Sequence, residues 1–313
     1  MKKLSNQKKI TKDFFNEVSK EWFERTYDPR GNYLKFPVNK IRKDVALKET
    51  ELLKIKKGAK SLDIGCGTGQ MVLDLLANGF QAYGVDIASK MIDEANNNLK
   101  KINSNLVKDV FETKDLTEIS REKKYDLITA LGLLEYLDTD RELFSVLKNI
   151  VKKDGYALVE CRNKLFNLFT GNKYTSEIIK NKKFSNLLKD FLESEKFSPT
   201  KILEATNIID SVYSNIPKFL ARFKIENNST SYSKFPSKMV RRQHTPKECE
   251  LSAKKYGFDL KYVVYYHLHP FPPAYENKFP QIYNKISELM TPLGRTYLGA
   301  SLGSAFIAVL KKR

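Results

Sequence analysis

The stretch 61-SLDIGCGTGQ-70 places Gly65, Gly67 and Gly69 at alternate positions, directly after a short apolar run that contains Asp63. Glycine at this density weakens any regular element, so the backbone there approaches something that side chains would obstruct. A strand, this turn and a helix together present backbone N–H groups at a helix N-terminus. The third glycine comes one position too early for the dinucleotide fingerprint, and no Lys-Ser/Thr pair follows as in a P-loop. The turn alone does not identify a ligand. The glycines could also serve only to close the turn between strand and helix.

Two further carboxylates end predicted strands. Asp86 comes 17 residues after Gly69, where a carboxylate can accept both hydroxyls of a ribose. The predicted third strand, 105–110, ends in Lys108-Asp109-Val110 and would place the Asp109 carboxylate near an adenine amino group. The fourth predicted strand runs into the sequence ALGLLEYL.

The elements that position these residues alternate between short apolar runs and amphipathic segments. Strands are predicted at 61–64, 82–86, 105–110, 125–132 and 156–161, and helices at 71–79, 90–102, 113–124 and 140–155. This alternation favours a parallel sheet with helices on both faces. Right-handed crossovers then bring the carboxyl ends of the strands to one edge, where such folds bind ligands.

Taken in order, SLDIGCGTGQ, AYGVDIASKMI, LVKDVF and YDLITALGLLEYL resemble the successive cofactor-binding motifs of class I S-adenosylmethionine-dependent methyltransferases. The resemblance covers about residues 40–162 and, more weakly, 245–312. It implies a doubly wound, seven-stranded, Rossmann-like α/β sheet that is mostly parallel, with an antiparallel edge hairpin and a helical insertion. An NAD-binding Rossmann domain is the alternative for the glycine turn.

The resemblance also implies roles for individual residues. Gly65, Gly67 and Gly69 would let the backbone approach the methionine part of S-adenosylmethionine, and Asp63 would orient the loop or reach the methionine amine. Around the rest of the cofactor, the implied contacts are Asp86 to the ribose, Ile87 and Val110 beside the adenine, Asp109 to the adenine amine, and the main-chain carbonyl of Leu131 to the aminoacyl group.

The aromatic, amphipathic N-terminal stretch 14–37 is similar to the leading helix that folds over the cofactor in such enzymes. Tyr27 and Arg42 are therefore candidates to contact the methionine end of the cofactor, although core packing and a surface arginine are equally open. The predicted division is an N-terminal helical lid (1–57), a cofactor-binding α/β core (58–162), a mostly helical substrate cap (163–245) and the C-terminal part of the core (246–313).

The C-terminal part resumes the α/β pattern. Thr245 and Gly257 are predicted to begin and end a helix, and 258–268 and 304–312 are predicted strands of an edge hairpin. Residues 297–310 are predicted to form a buried strand, and 270–280 are too rich in proline for either element.

A hydroxyl acceptor benefits from a general base during methyl transfer. The candidates beyond the strand ends are Glu135, His244, His267 and His269, and each has an alternative role in a turn or in a structural hydrogen bond. The place after the fourth strand reads ALGLLEY rather than the Asn/Asp-Pro-Pro-aromatic tetrad common in enzymes that methylate nucleic-acid bases. It resembles the quinone and sugar types, which favours a small or lipid-linked acceptor.

Composition bounds the remaining possibilities. The chain has 313 residues, 41% of them apolar, and a formal net charge of +18. Its lysines are dispersed without a basic block, so a solvated surface is favoured over a polyanion partner. Three distant cysteines, Cys66, Cys161 and Cys249, support neither disulfides nor a zinc site, and no metal is expected. No apolar run approaches the ~20 residues of a spanning helix and no secretory signal is visible, so a cytoplasmic location is expected.

The sequence therefore predicts an S-adenosylmethionine-dependent methyltransferase that O-methylates a small metabolite, sugar or lipid-linked glycan by in-line displacement. Two alternatives stay open: an RNA methyltransferase that uses the basic surface, and a cofactor-binding partner protein without catalytic activity. Neither the acceptor nor the oligomeric state follows from the sequence.

Overall fold

The computed structural model describes residues 4–27, 38–102, 109–168, 170, 173–181, 183–212, 235–269 and 279–313. Its strands are β1 (Lys60–Ile64), β2 (Gln81–Asp86), β3 (Phe111–Thr113), β4 (Tyr125–Ala130), β5 (Val151–Arg162), β6 (Phe258–Leu268) and β7 (Gly303–Lys312). They form one seven-stranded sheet in the order β3-β2-β1-β4-β5-β7-β6. Strands β1 to β5 pair in parallel, whereas β7 runs antiparallel to both β5 and β6. The predicted fold class is confirmed.

Helices cover both faces of this sheet. They are α1 (Asn6–Thr26), α2 (Val38–Leu52), α3 (Gln70–Ala77), α4 (Ser89–Ile102), α5 (Asp140–Ile150), α6 (Lys173–Lys180), α7 (Phe184–Ser194), α8 (Pro199–Val212), α9 (Pro246–Lys254), α10 (Pro280–Met290) and α11 (Tyr297–Leu302). In the part of the chain that the structure describes, no helix is long and apolar enough to cross a membrane.

The core lies in two layers, one on each face of the sheet. On one face, Met71 of α3 and Leu99 of α4 pack with Leu158 of β5; on the other, Phe144 of α5 packs with Val159. Successive side chains of a strand point to opposite faces. Glu160 and Arg162 therefore share the face of Leu158, which α2, α3 and α4 cover.

The C-terminal helix α9 begins as predicted. Thr245 is its N-cap and forms a reciprocal capping box with Glu248, and Gly257 has a φ of +83° shortly after the helix ends. The predicted edge hairpin is also present, as β6 and β7. The proline-rich segment falls mostly on residues 270–278, which lie outside the described residues.

Three predicted boundaries are wrong, and each has a local cause. The helix predicted at 113–124 is a single 3-10 turn, Leu116–Glu118, because a capping box between Asp115 and Glu118 closes one turn and Ile119 is already extended. Helix α5 stops at Ile150 rather than 155, because Val151 pairs with Tyr125 and begins β5. Residues 297–302 form α11 rather than the start of a buried strand, and β7 begins only at Gly303.

Candidate active site at the carboxyl edge of the sheet

The glycine loop, residues 65–69, joins β1 to α3. Its three glycines have φ angles of +76°, +52° and +87°, a region that side chains disfavour. A Cβ on Gly67 would find no atom within 4 Å, whereas a Cβ on Gly69 would meet the Phe111 ring at 2.7 Å and Ala95 at 3.0 Å. The absence of a side chain at Gly69 therefore lets the start of α3 pack closely against α4 and β3. The absence of one at Gly67 leaves the outer surface of the loop open.

Asp86, the last residue of β2, fixes the tip of this loop. One carboxylate oxygen accepts a hydrogen bond from the Gly67 N–H at 3.0 Å, and the other accepts one from the Ala88 N–H at 2.8 Å. Burial raises the pKa of Asp86, and these backbone donors oppose the shift. Ile87 follows, half-buried, at the turn into α4. The carboxylate therefore stands beside the clear side of the loop, and its contact with a ribose stays a prediction.

The third strand lies later in the chain than predicted, which changes the position of Asp109 and Val110. Thr113 pairs with Asp86, whereas Asp109 precedes β3, is exposed and has a φ of +75°. Four residues of extended chain span about 13 Å. The expectation that Asp109 and Val110 end the third strand is therefore wrong, since they lie toward its amino end. Val110 is a buried core residue whose carbonyl accepts from the Gly84 N–H.

Beyond β4, a buried arginine lies over the turn that contains Leu131. Arg42 of α2 forms an ion pair with Glu160 at 3.5 Å, and Glu160 also accepts a hydrogen bond from the Tyr266 hydroxyl at 2.9 Å. Burial raises the pKa of Glu160, and Arg42 opposes that shift. Leu131 is buried in this turn, directly after β4. Arg42, taken from the sequence as a cofactor candidate, is thus at the carboxyl edge.

Asp63 and Tyr27 both interact with Arg42. The Thr129 hydroxyl donates to Asp63 at 2.6 Å, and Tyr27 hydrogen-bonds to Arg42. Burial raises the pKa of Asp63 to about 6, although Thr129 and the Arg42 charge pull it down. Asp63 therefore changes its charge close to neutral pH, beside an arginine and the glycine loop.

Glu135 holds a second buried ionic group at the end of β4. Arg241 Nε donates to a Glu135 oxygen at 2.7 Å, and Arg162 Nε lies 3.7 Å from the same oxygen. The Arg241 guanidinium stacks over the ring of Phe235, 4.4 Å from its centroid. Because Glu135 already accepts from an arginine, it is poorly suited to removing a proton. Its predicted role as a base stays a prediction.

Helix α1 is fastened across this edge. Lys8 forms ion pairs with Asp115, just beyond β3, at 2.9 Å and with Glu142 of α5 at 3.0 Å. The Gln7 side chain donates to the carbonyl oxygens of Tyr136 and Val240. These contacts place α1 over the carboxyl edge, where a lid would lie. The lid function of residues 1–57 stays a prediction.

Two predicted bases, His267 and His269, lie at the end of β6, which β5 and β7 separate from β4. His267 Nδ1 hydrogen-bonds to Ser304 at 3.0 Å, and the His269 ring stacks on Tyr283 at 4.7 Å. Burial lowers the pKa of His267 far below its usual value and that of His269 to about 3. The structure does not bring them to the glycine loop, and a role as base stays an unsupported prediction.

The third histidine, His244, belongs to a network on α5. Its Nε2 lies 2.8 Å from an Asp140 oxygen, which also accepts from Arg242, while Ser252 donates to the other oxygen. Burial alone would raise the pKa of Asp140, but the bonds from His244 and Ser252 outweigh it and hold that pKa well below its usual range. This arrangement ties the segment before α9 to α5, which indicates a structural role.

Sequence reasoning missed three buried charges of this edge, Glu160, Arg162 and Arg241. Glu160 and Arg162 interrupt the apolar strand YALVEC at alternate positions, so both fall on one face of a buried strand. A buried charge requires a partner, and that was the available signal. Their partners are Arg42 for Glu160 and Glu135 for Arg162. Both come from distant segments, so no local pattern shows which charges pair. Across the described ranges, no three His, Cys, Asp or Glu side chains group as metal ligands.

Known proteins resemble this chain in sequence and in fold. Residues 39–193 match the methyltransferase domain family. A ubiquinone biosynthesis O-methyltransferase from Pelagibacter ubique is 25% identical over 169 residues, which cover 51% of this chain and 66% of that one. The protein of the same name from Coxiella burnetii is 25% identical over 156 residues, covering 50% and 62%. The chain thus spans less than two thirds of the length of either relative.

Solved structures show the same fold over almost the whole chain. Magnesium protoporphyrin IX methyltransferase from Synechocystis superposes with a TM-score of 0.57 at 15% identity, covering 98% of this chain and 100% of that one. A cyclopropane synthase from Mycobacterium tuberculosis gives a TM-score of 0.52 at 14% identity, covering 99% and 100%. At these identities the likeness is one of architecture.

Proposed function

We propose that this chain, whose residues 39–193 match a methyltransferase domain, is a class I S-adenosylmethionine-dependent methyltransferase that transfers a methyl group to an oxygen atom of a small molecule. One observation carries the proposal: the clear outer side of Gly67 lies beside the Asp86 carboxylate at the carboxyl edge of a parallel sheet. This is the edge at which such folds bind nucleotides.

The residues present fit S-adenosylmethionine. Asp86 provides a carboxylate for the ribose hydroxyls, and Ile87 an apolar surface for the adenine. Asp63 provides a buried negative charge for the cationic methionine end, and Leu131 a main-chain carbonyl for the aminoacyl group. Asp109 is left out, because it lies toward the amino end of β3.

The cofactor supplies an electrophilic methyl group, so the chain has to align the acceptor and exclude water. In the transfer, the bond from the methyl carbon to sulfur breaks as its bond to the acceptor oxygen forms, and a hydroxyl acceptor releases its proton. Helix α1, docked through Lys8 and Gln7, covers this edge and limits the access of water.

A small acceptor, with O-methylation as the reaction, is supported by the relatives named ubiquinone biosynthesis O-methyltransferase. The helices α6, α7 and α8 follow β5 at the same edge, and we propose that they form the substrate cap. The quinone, sugar and lipid-linked acceptors remain equal candidates within this proposal.

Two glycine variants test the cofactor site by calorimetric titration with S-adenosylmethionine. Gly67→Ala and Gly58→Ala both place a side chain at positive φ, and neither new Cβ meets an atom within 4 Å. Only Gly67 faces the proposed site, so we expect at least tenfold weaker binding for Gly67→Ala and unchanged binding for Gly58→Ala. Equal affinities in the two folded variants would remove the glycine loop from the site.

Transfer is tested with the full-length protein, methyl-labelled cofactor and fractionated cell extract. Label in an alkali-stable small molecule, attached through oxygen, is the expected result for a hydroxyl acceptor. Label in RNA, or cofactor binding without any transfer, would replace this proposal with one of the two alternatives from the sequence.

A further inference from the structure

The end of β5 carries an arginine whose charge the protein does not satisfy. The Arg162 guanidinium group has five N–H donors, yet within the described residues none of them makes a hydrogen bond, and its only ion pair is the 3.7 Å approach of Nε to Glu135. Its Nη1 is buried without a partner. The side chain is only 22% exposed, so water does not fully replace the missing acceptors. A buried donor left unpaired destabilises the folded protein, which a bound acceptor group would relieve.

The charges around Arg162 do not balance. Glu135 is shared by two guanidinium groups, and Arg241 takes the better geometry at 2.7 Å. Glu160, on the same face of β5, is already paired with Arg42. Among the described residues, the group of Arg162, Arg241 and Glu135 therefore has a net charge of one positive unit in a largely buried place.

The position of this group separates it from the cofactor loop. The glycine loop lies beyond β1, whereas Arg162 ends β5, and β4 runs between the two strands. The Arg42–Glu160 ion pair lies on the same face of β5, two residues before Arg162. The guanidinium carbon of Arg162 lies over the ring of Tyr174 in α6, 5.7 Å from the ring centroid, so the group faces the segment proposed as the substrate cap.

We propose that Arg162, supported by Arg241, binds a carboxylate of the methyl acceptor, so the acceptor is an acidic small molecule. A monoanion matches the single excess charge, and a planar carboxylate matches the fork of a guanidinium. This inference rests on the proposed function and narrows its substrate class. The carboxylate holds the acceptor in place, and the methylated oxygen belongs to another group of the same molecule.

The first test separates a metabolite extract on an anion exchanger and assays the acidic and neutral fractions with labelled cofactor. We expect the label in the acidic fraction, in a product that still carries a negative charge. Label in a neutral acceptor would overturn the inference and leave the proposed function standing. No label in either fraction would instead count against the proposed function, and with it this inference.

The second test compares Arg162→Gln with Arg121→Gln, which removes the same charge from an exposed position. With the purified acidic acceptor, Arg162→Gln should raise KM at least tenfold, with kcat changed less than threefold. Calorimetry of acceptor binding to protein loaded with S-adenosylhomocysteine should show the same loss. Arg121→Gln should match wild type in both measurements.

The affinity for S-adenosylmethionine shows whether the variant is folded. It also tests whether Arg162 binds the cofactor rather than the acceptor. It should stay within twofold of wild type in Arg162→Gln. If the variant instead loses cofactor affinity and keeps the KM for the acceptor, then Arg162 binds the cofactor's own carboxylate and the inference is wrong.

A third variant distinguishes binding from internal support. Glu135→Gln removes the internal competitor for both guanidinium groups, so binding of the acidic acceptor should tighten. If Arg162 served only to hold Glu135, this substitution would weaken binding or leave it unchanged.

Discussion

The guanidinium of Arg42 lies directly over the α-carbon of Gly132, so a Cβ on Gly132 would overlap Nη1 and come within 3.0 Å of Cζ. Gly132 also hydrogen-bonds through its backbone to Glu160, the ion-pair partner of Arg42. A residue without a side chain at the end of β4 thus allows a helix from outside the sheet to place a charge there.

Gly132→Ala should displace Arg42 from Glu160. The φ of +73° adds about 1–3 kcal/mol of backbone strain. Gly257→Ala is the matched control, because Gly257 has a φ of +83° and a Cβ there would meet nothing within 4 Å. Urea unfolding should show a larger loss for Gly132→Ala, and only this variant should also bind cofactor less tightly. If the two variants lost the same stability and the same cofactor affinity, Arg42 could move away from Gly132 without an energetic cost.

Asp86→Ala should weaken S-adenosylmethionine binding by at least ~1.5 kcal/mol, because the charge-assisted hydrogen bond proposed between Asp86 and the ribose would be lost. The bonds that hold the Gly67 and Ala88 N–H groups are lost as well. Asp93→Ala on the exposed side of α4 controls for the change in charge. Calorimetry on both folded variants checks this, and an unchanged affinity for Asp86→Ala would remove Asp86 from the site.

Cofactor affinity should fall as the pH is lowered through about 6. The pKa of Asp63 is raised from 3.8 to about 6 by burial, so acid neutralises the charge proposed to meet the cationic methionine end. Below this pKa the affinity should fall by up to about tenfold per pH unit. In Asp63→Asn this dependence should be absent across pH 5.0–7.5. A variant that keeps the full wild-type dependence would assign it to another group.

Lys8→Met should loosen α1. It removes ion pairs to Asp115 and Glu142 in a place where the lysine side chain is only 10% exposed. Breaking a buried pair costs about 3 kcal/mol. Hydrogen exchange over residues 6–26 should speed up, and the cofactor should dissociate faster. Lys9→Met, at the exposed neighbouring position, should change neither rate. Matching behaviour of the two variants would contradict the docking of α1 through Lys8.

The protein should lose stability in mild acid, partly through His269. Burial depresses the folded-state pKa to about 3, so between pH 6.5 and 3 only the unfolded chain takes up the proton and the unfolding free energy falls as pH falls. His269→Phe should reduce this slope by up to about 1.4 kcal/mol per pH unit. Urea unfolding at pH 5.0–7.5 measures it. The pH profile of kcat should be the same in His269→Phe as in wild type. If the variant loses the fall in kcat on the acid side, His269 acts as a base after all.

Much of the cofactor side of this protein was determined locally by the sequence. Three glycines at positive φ, Asp63 at the end of β1 and Asp86 at the end of β2 are consecutive features of one chain segment, and strand–helix alternation places them at one edge. The third strand was placed too early because 105–110 and 111–113 are both short and partly apolar. Pairing with β2 decides between them, and pairing is not local.

The tertiary structure alone decided how the buried charges at the carboxyl edge pair. Arg42, Glu135, Arg162 and Arg241 come from four separate segments. The sequence marked Arg42 and Glu135 as site candidates, but it gave no sign that these four charges form buried pairs. Their meaning depends on burial and on which carboxylate each guanidinium reaches, and both are properties of packing between distant elements. The histidines show the converse: their spacing suggested chemistry, but neighbours on other helices bury two of them and tie His244 to Asp140. Charge and reactivity follow from the surroundings of a side chain, which only the folded chain defines.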